Sequence, residues 1–320
     1  MRRRIAAHKF KKMKLITPEK GTPASQGDPY LLKANGKYYI YATGTDGVEA
    51  YGSDRLFSGW KYLGKALTEA HCKEFWAPCV IERDGVYYMY YSSVQEGEAD
   101  MHKQAIKAAV SSSPEGPFVY KKTILPAFSI DPHVVKSGKD YYIFYSVNDE
   151  NGERAGTYIV VDKLADMFTP EGNPQAAVVP TIDEEIFMRD RFRKGQHWHT
   201  VEGAFYFRIG NDHYLIYSGN CYQNEKYFLG YACAHAEEDD LRKLKFEKQP
   251  SASVYAPLLC RNDKEEGTGH NSIVEEDGKY YIVYHARDIS ADKTLPDSRT
   301  ARICLLKAEG KTLKAVRDIP

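Results

Sequence analysis

Three carboxylic acids sit at strand-like starts in the sequence: Asp28 in GDPY, Asp131 in IDPH and Glu202 in VEGA. Trp76 in FWAP and His270 in GHNS occupy similar text. Two carboxyl groups facing one pocket are the minimum equipment for hydrolysing a glycosidic bond. One stays protonated and donates to the leaving oxygen, while the other stays ionised and activates water. A third carboxylate nearby raises the pKa of the acid by like-charge repulsion. An indole offers a flat apolar face to a sugar ring.

Each residue alone says little, because an Asp before Pro is ordinarily a turn residue and a lone Trp is ordinarily core. The five gain meaning from a repeat. NGKYYIYAT (35–43), DGVYYMYYS (84–92), SGKDYYIFYS (137–146), GNDHYLIYSG (210–219) and DGKYYIVYHA (277–286) each run from a turn pair into a tyrosine-rich strand, then to Ser, Thr or Ala. Such text reads as a β-hairpin. Asp28, Trp76, Asp131, Glu202 and His270 precede the first residue of the following pair by 10, 11, 10, 11 and 10 positions. Five hairpins at this spacing predict an all-β, five-bladed β-propeller, whose inner strands bring equivalent residues to one channel mouth. A solenoid would spread them along a line. The expected division is a basic arm or closing strand over 1–20 and one propeller over 21–320. The long gap between the third and fourth repeats predicts inserted loops around 148–200 that form a rim of the pocket.

Composition narrows the classes. Lys and Arg total 44, as do Asp and Glu, so formal charge is zero. A nucleic-acid or membrane-surface partner calls for a basic excess, and none is expected here. No apolar run reaches the length of a membrane span. The basic start MRRRIAAHKFKKMK develops no apolar signal core. The six cysteines form no C-x-x-C pair and sit in strand-like text, which predicts reduced thiols and a cytoplasmic location.

The same residues resemble glycoside hydrolase family 43 over about 25–305, a family of five-bladed propellers that invert the anomeric centre. The resemblance implies that Asp28 is the general base, Glu202 in HTVEGAF the general acid, and Asp131 in SIDPHVV the residue that tunes and orients the acid. GTGHNS (267–272) is similar to the family's G-x-G-H-N-S motif, which implies a hydrated cation, commonly calcium, held largely through water at His270 on the channel axis. Gly27 stands where some members have His, and EGA replaces the commoner EGP. Trp76, His270 and Arg287 in YHARD are the expected substrate contacts. His197, Trp198 and His199 are further candidates for the lining.

The implied activity is exo-hydrolysis of terminal α-L-arabinofuranosyl residues from arabinose-containing plant polysaccharides or oligosaccharides, with an arabinose- or xylose-containing oligosaccharide as the expected partner and no cofactor needed for the chemistry. A β-D-xylosidase, a bifunctional enzyme and an endo-arabinanase are alternatives in the same class. A non-catalytic sugar-binding propeller is the alternative outside it. Such a protein would keep Trp76 but tolerate loss of a carboxyl, and all three are present.

Overall fold

The computed structural model describes residues 14–289, 291 and 298–317. The tyrosine repeats form the second strand of five antiparallel units. The first unit runs through Tyr30–Ala34, Lys37–Ala42, Val48–Ser53 and Lys61–Leu67; the second through Cys72–Arg83, Val86–Gln95, Ala105–Ser111 and Val119–Thr123. The third comprises Ile130–Ser137, Asp140–Asp149 and Gly156–Asp166, edged by Thr169–Pro170 and Gln175–Val178. The fourth is Trp198–Ile209, Asp212–Gly219, Phe228–His235 and Glu247–Lys248; the fifth is Glu265–Glu276, Lys279–Asp288, Thr300–Glu309 and Thr312–Val316.

Each repeat strand is apolar on both faces, and the packing shows why. In Lys37–Ala42, Tyr39 and Tyr41 enter a core shared with the second blade, whereas Tyr38 and Ile40 enter a core shared with the fifth. Successive side chains alternate faces, so a blade buried on both sides cannot show the polar alternation of a half-exposed sheet. Further cores join blades two and three, three and four, and four and five. The first strands also touch one another around a complete ring. These contacts close a five-bladed propeller, as the repeat predicted. Buried tyrosine hydroxyls need partners; that of Tyr90 donates to the Met167 carbonyl (2.9 Å) and that of Tyr91 to Glu69 (2.9 Å).

Residues 1–13 of the expected basic arm lie outside the described residues. Where description begins, Lys14 bridges to Arg302 in the fifth blade, the Leu15 amide donates to the Ala301 carbonyl (2.9 Å), and Ile16 is buried between blades five and one.

Candidate active site

A backbone device places the catalytic candidates. The non-glycine residues Asp28, Ala77, Asp131 and His270, with Gly203, have φ of 54°, 45°, 56°, 40° and 64°. Each lies ten positions ahead of its aromatic pair, so one left-handed residue recurs at one point of every blade. A Cβ in that region costs about 1–2 kcal/mol, and the ring repeats it four times. Ladder irregularities adjoin these positions in four blades, from Trp76 to Cys79, Glu202 to Phe205, Gly269 to Asn271 and opposite Asp131. The 10 and 11 offsets are thereby explained. Trp76 and Glu202 are not structural equivalents of Asp28, Asp131 and His270 but stand one residue earlier, before the left-handed turn.

In three blades the residue five positions after the first of the aromatic pair locks a left-handed turn to its neighbour. Thr43 Oγ1 accepts from the Ala77 amide (2.9 Å), Ser218 Oγ from the His270 amide (2.8 Å), and His285 Nδ1 from the Asp28 amide (3.1 Å). His285 was missed from the sequence, yet its signal was present: it takes the place that Ser or Thr holds in the other repeats.

Asp28, Asp131, Glu202, Trp76 and His270 all line one cavity of ≈ 600 Å³. Asp28 Oδ2 accepts from Thr43 Oγ1 (2.6 Å), and Oδ1 faces Arg299 Nη1 (3.0 Å) and His270 Nδ1 (3.5 Å). Burial alone would raise this carboxyl, but the charge of Arg299, and then His270, overturns it and holds Asp28 well below the usual carboxylate range. Glu202 has the opposite balance. Burial pushes it up to about 7, and the charge of Asp28 adds to that. The Tyr227 hydroxyl donates to Glu202 Oε1 (2.9 Å) and works against the rise. Asp131, 6 % exposed, is pushed up to about 7 by burial, with His270 opposing and Glu202 and Asp28 adding. The Gly203 amide donates to Asp131 Oδ2 (3.1 Å), tying this carboxyl to the residue after Glu202. One carboxyl held ionised and one held protonated across a shared cavity is the division of labour that acid–base hydrolysis requires.

The charge of Glu202 is among the causes that raise Asp131, and like-charge repulsion acts on both partners, so Asp131→Asn is expected to move the basic limb of the kcat/KM–pH profile to lower pH. The rise that the second carboxyl contributes disappears. An unmoved limb would remove Asp131 from the role of tuning the acid.

Two glycines make room for this network. A Cβ on Gly269 would lie 1.8 Å from Cε1 of Tyr227, whose buried ring stacks on His285 with 7° between the planes. Gly269→Ala is therefore expected to destabilise the fold by about 3 kcal/mol and to lower activity by displacing the donor to Glu202; thermal melts and kcat/KM measure the two effects. At Gly27 a Cβ would lie 2.5 Å from Cζ of Arg299. The position where some relatives carry His is thus occupied by the guanidinium that faces Asp28.

Other expectations need revision. Arg287 does not line the cavity; its guanidinium donates to the carbonyls of Tyr222 (2.6 Å) and Asn224 (2.8 Å) and braces that loop. Arg299, which the sequence did not single out, is the arginine in the cavity. The 148–200 insertion does not form its rim. Instead its strands edge the third blade, and parallel pairing of Gly156 and Thr157 with His199 and Thr200 joins blades three and four. His197 and His199 line a separate polar cavity of ≈ 700 Å³, and Trp198 is buried. The rim of the catalytic cavity comes from Pro23–Ser25, Thr43–Asp46, Glu74 and Tyr222. Trp76 borders the cavity with its indole Nε1 donating to Glu74 Oε2 (3.0 Å).

Among the described residues no three His, Cys, Asp or Glu side chains gather into a metal-holding group, and His270 Nδ1 is turned toward Asp28. The side chains do not form a cage for the cation implied at His270, and no step proposed below passes through one.

The sequence model of the family described as Glycosyl hydrolases family 43 matches residues 22–309. The chain is 24 % identical over 248 residues to the probable arabinan endo-1,5-alpha-L-arabinosidase A of Aspergillus fumigatus, covering 71 % of this chain and 66 % of that protein. It is 25 % identical over 307 residues to the extracellular exo-alpha-(1->5)-L-arabinofuranosidase of Streptomyces avermitilis, covering 87 % and 58 %. The chain thus spans less than two thirds of the length of either relative. The crystal structure of a thermostable family-43 glycoside hydrolase superposes with a TM-score of 0.76 at 29 % identity, covering 92 % of this chain and 95 % of that one.

The Streptomyces relative, extracellular by name, overturns the expectation of a cytoplasmic protein. The cysteine argument behind that expectation has little force. Cys79, Cys221, Cys233 and Cys304 are buried and unbridged, and buried structural thiols are inert. Among the described residues no helix is long and apolar enough to cross a membrane.

Proposed function

The chain belongs to glycosyl hydrolases family 43, and from that membership we propose that it is an inverting exo-glycosidase removing terminal α-L-arabinofuranosyl residues from arabinose-containing plant oligosaccharides or polysaccharides. The observation that carries this reading is the opposite tuning of Asp28 and Glu202 across one cavity. Asp28 takes a proton from water as the water attacks the anomeric carbon. Glu202 gives its proton to the departing glycosidic oxygen. Asp131 supports the acid through charge and through the Gly203 amide, and Trp76 offers its indole to the sugar.

Exo action has the support of the Streptomyces relative's name, and the name of the Aspergillus relative favours internal cleavage of arabinan as the second reading. Turnover of an aryl α-L-arabinofuranoside, an aryl β-D-xyloside and linear arabino-oligosaccharides separates the readings, with NMR of the first-formed sugar. The expected result is stepwise release of arabinose whose anomeric configuration is inverted. Retention, preference for the xyloside or early appearance of internal fragments would each refute a different part of the proposal.

A further inference from the structure

Five of the six cysteines have surroundings that explain them as packing groups or as thiols facing neutral partners. Cys79, Cys221, Cys233 and Cys304 are buried, and the thiol of half-buried Cys260 meets the Arg261 carbonyl (3.6 Å). Cys72 differs. It is half-buried, and its Sγ lies 3.2 Å from Nζ of Lys107. The amine is itself almost fully enclosed, with 6 % of its side chain exposed, and it donates to both carboxylate oxygens of Glu69 at 3.0 Å. Tyr91 also donates to Glu69 (2.9 Å), and Gln95 Nε2 approaches Cys72 Sγ (3.6 Å). A partly accessible thiol, an amine in contact with it and a carboxylate that fixes the amine are thus assembled in one place.

We propose that Cys72 and Lys107 are an oxidative modification site, at which a peroxide converts the pair into a reversible sulfur–nitrogen cross-link. Burial pushes the Cys72 thiol up, so it ionises in mildly alkaline buffer before its thiolate attacks one peroxide oxygen. An S–O bond forms, the O–O bond breaks, and the other oxygen takes up a proton equivalent to the one the thiol lost and leaves as water, giving a sulfenic acid. Lys107, its proton lost to the alkaline buffer, then attacks sulfur. The S–N bond forms, the S–O bond breaks, and a second water leaves. In sum, a thiol, a peroxide and an ammonium give a sulfenamide, two waters and one proton. The pair is pre-positioned, so the second step competes with further oxidation of the sulfenic acid.

The site reaches the catalytic cavity. Cys72 opens the strand that carries Glu74 and Trp76, and Gln104, just ahead of the strand holding Lys107, donates to the Glu74 carbonyl (3.0 Å). Replacing a 3.2 Å contact by a bond draws this rim toward the third strand of the blade, so a rise in KM is expected. That consequence rests on the glycosidase reading, whereas the cross-link does not.

The test treats the protein with hydrogen peroxide in mildly alkaline buffer and maps peptides by mass spectrometry before and after dithiothreitol. The expected product joins the Cys72 and Lys107 peptides, reverts on reduction, and is missing from Cys72→Ser and from Lys107→Arg. Untreated Cys72→Ser should retain parental activity and show no peroxide-dependent rise in KM. Conversion of Cys72 to sulfinic or sulfonic acid without the link, or no change at Cys72, would overturn the proposal. A cross-linked protein of unchanged KM would overturn the coupling to the rim.

Discussion

Glu202→Ala is expected to lower kcat/KM on arabino-oligosaccharides by about 10²- to 10⁴-fold, the usual contribution of a general acid. An aryl arabinofuranoside with a strongly acidic phenol should lose far less, because its leaving group departs without a proton. The structure adds a signature in pH. Burial and the charge of Asp28 raise Glu202 to about 7, so the proton it must deliver is lost as pH climbs through neutrality. The parent enzyme should therefore show a basic limb near there on the oligosaccharide, and the variant should lack that limb on the activated substrate. Equal losses on both substrates would remove Glu202 from the role of acid and leave it a structural partner of Tyr227.

Asp28→Ala is expected to abolish turnover on both substrates, by about 10⁴-fold, because each needs an activated water whatever its leaving group. Asp28 is held low by Arg299 and His270 against the cost of burial, so the base is ionised throughout the neutral range, and the acid limb of the parent profile should lie below the ordinary carboxylate range. The variant also removes the carboxylate that Arg299 Nη1 faces at 3.0 Å. A thermal melt must therefore accompany the kinetics. A folded, inactive Asp28→Asn, which keeps an oxygen for Thr43 Oγ1, separates loss of charge from loss of structure. Survival of aryl-glycoside activity in a folded variant would refute the assignment.

These two residues were legible in the sequence for a physical reason. A propeller repeats one backbone design, so the phase of Asp28 and Glu202 against the tyrosine pairs carries spatial information that an isolated acidic residue lacks. The tyrosines were legible because a blade packed on both faces requires unbroken apolar strands, and Tyr39 and Tyr38 serve two different cores. Position within the repeat could also have marked His285, which stands where Thr43 and Ser218 stand, had the end of the repeat been weighed as its start was.

Arg287 and Arg299 mark where that legibility stopped. Both follow or flank the last repeat strand, and nothing in their local text tells which one turns inward. Gly267, on which an added Cβ would sit 2.3 Å from Nη2 of Arg287, and Gly27, on which it would sit 2.5 Å from Cζ of Arg299, decide the matter by leaving space in two different places. The insertion is a second case. Its length announced an elaboration, but only pairing with Gly156–Asp166 and Trp198–Ile209 sent it to the seam between blades three and four, away from the catalytic mouth. By itself the sequence determined the number of blades, the convergence of three carboxyl groups and the chemistry they can share, because those follow from periodicity and residue type. The tertiary structure decided how each carboxyl is tuned for the role the resemblance implied, since that balance depends on how deeply each is buried and on which cation, distant in sequence but close in space, lies beside it.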